Sequence, residues 1–214
     1  DHWTEIEVDV ASQVFALLGT STHYILKQSS DSSAQLEEER MYARINGTTN
    51  MVLTGQVDRL DEDGTLTDYK VAGIFAYVKG DSADWARQLN YYAALCRANG
   101  YEVNKLQIVL ILRDWKWREA MTKSDYPDSP AQIMEIKLWS NDKAVEEIKT
   151  RMMMHRRAIE ESKYSECTDN ERWARDHKWA VIKRGGKKAT KLFLNEEDAD
   201  ILCQSLQKTK KDDY

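Results

Sequence analysis

The chain has 214 residues and a formal net charge of −5. That length suits one domain with an appendage, and that charge argues against a constitutive nucleic-acid binder. No stretch approaches the roughly 20 apolar residues a membrane span needs, and the acidic opening DHWTEIEVDV lacks the basic start of a secretory leader. Cys96, Cys167 and Cys203 form no Cys-x-x-Cys pair. Neither a disulfide framework nor a four-cysteine metal cluster can be built from them, and reduced thiols in a cytoplasmic protein are expected.

From Val8 to Lys27, the residues Val8, Val10, Val14, Phe15, Leu17, Leu18 and Ile25 recur at helical spacing, with Gly19 as a weak point. SSDSSAQLEEE reads as a polar loop. Arg40–Ile45, Met51–Leu60 and Thr65–Val71 are short runs rich in β-branched residues, punctuated by NGTTN and DEDG, and they predict three antiparallel strands. Asp84–Asn99 is a helix that Asp84 can cap and Gly100 ends. KLQIVLILRDW is apolar on every face, as an interior strand should be. Beyond a loop holding Pro127 and Pro130, IMEIKLW predicts another strand and Asn141–Ser162 a long charged helix. KWAVIKR and ATKLFL form a hairpin around Gly185-Gly186, and Asn195 caps a last helix. The order implies an α/β or α+β fold around a mixed sheet.

The stretch GQVDRLDEDGTLTDYK concentrates acid. An acidic surface hairpin is the ordinary reading of such a ribbon, and it suits Asp61, Glu62 and Asp63 at the turn. Asp58 and Asp68 differ, because each lies inside an apolar strand with one face to bury. The DEDG turn folds the strands so that the two oppose each other, with Cβ atoms about 4.5–5.5 Å apart. Carboxylates that close repel unless a cation or proton lies between them. Mg²⁺ and Mn²⁺ take such oxygen ligands together with phosphate. Lys70 shares a face with Asp68 and can orient a water or stabilise phosphate charge. The pattern acid-x-Lys also occurs at Asp114, Glu135, Glu147, Glu161 and Asp176; of these, Glu135 competes, since it too lies on a predicted strand. Gln88 and Tyr92 project from one helix face at i, i+4. His23 is a lone histidine on a mostly apolar helix.

Taken together, LGTSTH with His23, GQVDRL with Asp58, TDYK with Asp68 and Lys70, and QLNYY with Gln88 and Tyr92 resemble the PD-(D/E)XK nuclease superfamily in its RecB-like branch. RDW at Arg113–Trp115, Tyr126-Pro127 and the tail KWAVIKRGGKKATKLF resemble phage or prophage-type exonucleases of that branch. The resemblance implies a restriction-endonuclease-like mixed central sheet flanked by helices. Residues 1–164 would be the nuclease core, and residues 165–214 a basic β-β-α appendage packed on it. His23, Asp58, Asp68 and the Tyr69 carbonyl would hold one or two Mg²⁺ or Mn²⁺ ions. Lys70 would act on the attacking water, while Gln88 and Tyr92 would support the site and position the substrate. Glu39 would match an upstream acid of some relatives. Relatives with an iron–sulfur cluster use four cysteines, so no cluster is expected here.

The implied activity is metal-dependent hydrolysis of DNA, by an exonuclease of phage or bacterial replication, recombination or repair in the host cytoplasm. A recombination or annealing protein is the implied partner. Lys183, Arg184, Lys187 and Lys188 would contact the DNA backbone, or else be a solvated hairpin tip. Trp115 and Trp117 beside Lys116 and Arg118 offer stacking surfaces for single-strand bases. Endonuclease or RNase use of the same site, and a non-catalytic or partner-dependent nucleic-acid-binding subunit, stay open as alternatives.

Overall fold

The computed structural model describes residues 10–29, 33–45, 47, 51–79, 83–162, 164, 166–169, 171, 172, 174 and 176–209. The chain divides into two compact units, Asp1–Lys163 and Tyr164–Tyr214.

In the first unit the elements run α1 (Val10–Gln28), β1 (Ala34–Ala43), β2 (Leu53–Asp61), β3 (Thr65–Ala72), α2 (Ile74–Lys79), α3 (Ala83–Ala98), β4 (Lys105–Leu112), α4 (Trp117–Ala120), β5 (Ala131–Ile136) and α5 (Asn141–Glu161). The strands form one mixed sheet in the order β1-β2-β3-β4-β5, antiparallel except where β3 and β4 run parallel. The parallel pair needs a crossover, which α2 and α3 supply. Leu60, Leu66, Leu89, Leu95, Leu106, Ile108 and Leu110 are fully buried and join strands to α3 in the main core. A smaller cluster, with Ala94, Ile148 and Met152, seats α5 on the other side of α3.

Local chemistry explains several boundaries. Gly64 takes a φ of +81°, and its amide donates to Asp61 O at 3.0 Å, closing the β2–β3 turn. At the end of α3, Gly100 takes a φ of +89° and the Tyr101 amide reaches back to Cys96 O at 3.1 Å; this is the left-handed helix stop that the glycine predicts. Ser140 caps α5, its hydroxyl accepting from the Lys143 amide at 3.3 Å.

The second unit holds β6 (Trp179–Ile182), β7 (Ala189–Phe193) and α6 (Glu196–Thr209), with the strands paired antiparallel and packed on the helix. Asn195 Oδ1 accepts from the Asp198 amide at 2.9 Å, capping α6 as its sequence position predicts. The α/β class, mixed sheet and C-terminal β-β-α unit are those the sequence implies.

Differences are local. The polar SSDSSAQLEEE stretch supplies half of β1, which starts at Ala34 and not Arg40. Three consecutive glutamates hide the alternation a strand should show, and pairing with β2 overrides that composition. Gly19 does not interrupt α1. Asp84 lies inside the first turn of α3, and the residues before that helix are outside those described, as is most of the NGTTN turn. Two short helices, α2 and α4, add to the elements the sequence predicts. At β5 the strand ends at Ile136, short of the predicted Trp139, because Asn90 of α3 takes the chain from there. Its side chain donates to Lys137 O at 3.1 Å and accepts from the Trp139 amide at 2.7 Å.

A candidate metal centre where two strands part

β2 and β3 are paired at Arg59–Thr67 and Leu60–Leu66 only, although both strands continue. The next facing positions along that register are Asp58 and Asp68. There the Asp58 carboxylate replaces the missing ladder, its Oδ2 accepting from the Tyr69 amide at 2.8 Å. Strand geometry sends the Tyr69 carbonyl to the same side as its amide, and His23 Nε2 of α1 lies 3.2 Å from that oxygen. The parted strands therefore bring two carboxylates and a histidine to one cavity of about 670 Å³, and that histidine also contacts the Tyr69 carbonyl.

β1 adds a group that the sequence reading placed one residue away. Glu38 lies between the pairs Glu37–Arg59 and Glu39–Val57, and so across from Asp58. It takes a φ of +49°, which is strained for a non-glycine residue. Its Oε1 lies 2.9 Å from His23 Nδ1, and its Oε2 accepts from Gln56 Nε2 at 2.6 Å. Gln56 in turn accepts from Arg40 at 3.3 Å. Glu39 is exposed and lines a different, shallow depression. The β1–β2 register thus places Glu38, and not Glu39, across from Asp58.

His23, Glu38 and Asp58 each offer a donor atom within 4.8 Å of the others, the one such grouping among the described residues. Asp68 stands beside it. It is 3% exposed, and its Oδ2 lies 2.9 Å from Lys70 Nζ. That contact is an ion pair by distance but not a hydrogen bond by angle, so this oxygen is buried without a hydrogen-bond partner. Lys70 Nζ donates to Gln88 Oε1 at 3.2 Å, and Gln88 Nε2 to the Tyr92 hydroxyl at 2.9 Å. Gly55 lets this chain close: a Cβ there would stand 2.6 Å from Tyr92 Cε1.

The charges crowd one another. Burial, then the Asp68 charge, push the Asp58 carboxyl up to about 6. Burial raises Asp68 too, against the pull of Lys70. Burial works against a charged His23, but its hydrogen bond to Glu38 and the Asp58 charge win, raising its pKa. Both ring nitrogens face acceptors, so without a metal the geometry suits the imidazolium. Carboxyls raised by burial and by each other's charge are groups that a cation would relieve. Carboxylate and carbonyl oxygens with one imidazole form a hard donor set, and the unbonded Asp68 oxygen leaves a lone pair for it. The residues present fit a divalent ion.

Of the residues predicted from sequence, His23, Asp58, Asp68, Tyr69, Lys70, Gln88 and Tyr92 meet here. The others build scaffold or surface. Glu135 is exposed and ion-paired to Lys105. Asp114 accepts from the Ile74 amide at 2.8 Å, capping α2. Arg113 stacks 4.3 Å over the Phe15 ring of α1. Trp115 Nε1 donates to Pro127 O at 2.8 Å, and the Tyr126 hydroxyl accepts from the Lys116 amide at 2.7 Å. These bonds tie RDW to Tyr126-Pro127 as one loop brace, and neither Trp115 nor the exposed Trp117 lines the cavity. Arg184, Lys187 and Lys188 lie exposed around the β6–β7 turn of the second unit, with Lys183 at its start.

No protein-family model matches the sequence, and no curated protein matches it. Several solved structures are similar in part. The protein SSO0001 aligns at 16% identity and a TM-score of 0.43, over 68% of this chain and 61% of that one, so the match spans less than two thirds of SSO0001. A phage-related exonuclease from Haemophilus somnus 129PT aligns at 15% identity and a TM-score of 0.42, over 71% of each chain. A protein assigned as an exonuclease from Eubacterium rectale aligns at 14% identity and a TM-score of 0.42, over 84% of this chain and 79% of that one.

Proposed function

We propose that the protein is a divalent-metal-dependent nuclease that hydrolyses phosphodiester bonds in DNA. The observation that carries this reading is the parted β2–β3 ladder. It brings His23, Glu38, Asp58 and Asp68 to one cavity, with the Tyr69 carbonyl 3.2 Å from His23 Nε2 and the Lys70 ammonium 2.9 Å from Asp68. Those donors would hold the ion, Mg²⁺ or Mn²⁺ by their hardness. When bound, the ion supplies Lewis acidity toward a phosphate oxygen and lowers the pKa of a coordinated water.

The chain's own groups do the rest. Lys70 stands between Asp68 and Gln88, a position from which its ammonium orients the attacking water and stabilises charge gathering on the phosphate. Gln88 and Tyr92 hold that ammonium in place. Gln56 holds Glu38, leaving one Glu38 oxygen to face His23. The exonuclease mode, and a role in phage or bacterial recombination beside an annealing partner, rest on the likeness of the sequence motifs. The free cysteines accord with a reducing cytoplasm. No described helix is long and apolar enough to cross a membrane.

A time course on end-labelled linear and circular DNA, single- and double-stranded, with Mg²⁺, Mn²⁺ or EDTA, tests the proposal. Linear DNA is degraded from its ends with either metal, circular DNA survives, and EDTA stops the reaction. Cleavage undiminished by EDTA removes the metal from the proposal, and an inert protein under every condition removes the nuclease.

A further inference from the structure

The cavity wall carries two groups beyond those that converge on His23. Tyr24 and Lys27 follow His23 on α1 and both line the cavity. Tyr24 is 66% exposed, an aromatic face open to solvent among largely polar neighbours. Lys70 is committed to Asp68 and His23 to Glu38, whereas Lys27 makes no ion pair with any described residue. It is thus the uncommitted cation of a cavity crowded with carboxylates. Residues three apart on a helix are neighbours, about 5–6 Å between Cβ atoms, close enough for one nucleotide to touch both.

We propose that Tyr24 and Lys27 form a subsite for the substrate strand. Lys27 meets a backbone phosphate and Tyr24 stacks on the adjacent base, so the protein acts on a strand whose bases are unpaired at the site. This deepens the nuclease reading and rests on it. The physical ground is that a base inside a duplex has both faces covered by its neighbours. Only an unpaired or terminal base can present a face to an exposed ring. Lys27 alone would accept any phosphate; the ring beside it selects the strand's state.

The test is binding of fluorescent oligonucleotides to the full chain with Ca²⁺ in place of Mg²⁺, so that affinity is read without turnover. Tyr24→Ala should weaken single-strand binding about tenfold, the size of one stacking interaction, and leave binding of a covalently closed circular duplex, which has no terminal base, nearly unchanged. Tyr24→Phe, which keeps the ring, should restore the single-strand affinity. Lys27→Ala should reduce the slope of log affinity against log salt by about 0.7, the share of one phosphate on a single strand. An abasic site walked along the oligonucleotide should hurt the wild type at one position and cost Tyr24→Ala nothing there. Equal single-strand affinity of Tyr24→Ala and wild type, or equal losses on single strand and duplex, would overturn the subsite. Cleavage of the same oligonucleotide by the wild type with Mg²⁺ or Mn²⁺ separates the two ideas. Absent cleavage defeats the nuclease reading, while cleavage with unaltered Tyr24→Ala binding defeats the subsite alone.

Discussion

Each side chain in the cavity is defined by who holds it. Asp68 sits buried with one oxygen beside Lys70, so Lys70→Ala or Asp68→Asn should each lower cleavage by at least about 10²-fold while circular dichroism stays native. Near-wild-type rates in both variants would end the assignment. Gln56 acts through Glu38, and Gln56→Leu should weaken Mn²⁺ binding about 10- to 100-fold, read by titration calorimetry. The charge crowding has a pH signature. Asp58 is raised from 3.8 to about 6, and His23 is raised from 6.5. Both bind protons more tightly folded than unfolded. Their stabilisation is therefore present at low pH and is lost as pH climbs through the folded values. Without a divalent ion, the Tm difference between wild type and Asp58→Asn should move against the wild type from about pH 5 to about pH 8. Added Mn²⁺ should raise the wild-type Tm most at the upper end, where the protons have left. A Tm gap that grows in favour of the metal-free wild type would contradict the crowding. The sequence named Asp58, Asp68 and Lys70 because strand period two and one tight turn suffice to face them. It missed Glu38, whose backbone takes a φ of +49°, and Gln56, although period two puts Gln56 on the same strand face as Asp58.

At the scale of elements, the site depends on strands that part and on a helix packed where they do. α3 lies against β1, β2 and β3, and Tyr92 occupies space that any side chain at Gly55 would need. Gly55→Ala should cost about 1–3 kcal/mol of stability by overpacking, measured by urea unfolding. Displacing Tyr92 frees Gln88, and with it Lys70, so kcat should fall more than KM rises. Combining Gly55→Ala with Tyr92→Ala, which vacates the space, should recover stability beyond the additive sum but not kcat. A strictly additive double variant would disprove the contact. α3 was legible from its periodicity and its glycine stop. The part of β1 that bears Glu38 was not, because its charged run resembles solvated loop and only pairing with β2 makes it strand.

For the whole molecule, overall acidity conceals a basic stretch of the second unit, from Arg172 to Lys191. Its hairpin turn displays Arg184, Lys187 and Lys188 in solvent, while the first turn of α6 is acidic with Glu196, Glu197 and Asp198. Neutralising Lys183, Arg184, Lys187 and Lys188 together should weaken DNA binding and flatten its dependence on log salt, by roughly one unit for each phosphate no longer neutralised. The active-site chemistry should remain intact on short substrates. An unchanged slope would make the turn an ordinary solvated hairpin tip. Composition alone revealed this asymmetry, because charge adds along the chain whatever the fold.

The sequence by itself determined most of the element types, the mixed α/β class, and the choice of Asp58, Asp68 and Lys70 as candidates on neighbouring strands. These follow from local periods, caps and one four-residue turn, all short-range along the chain. Only the tertiary structure decided that β2 and β3 part beyond Thr67, that Glu38 and not Glu39 turns inward, and that α1 delivers His23, Tyr24 and Lys27 to the gap. Those outcomes come from competition among long-range partners for the same backbone groups. When the Asp58 carboxylate takes the Tyr69 amide, the ladder ends and the cavity begins.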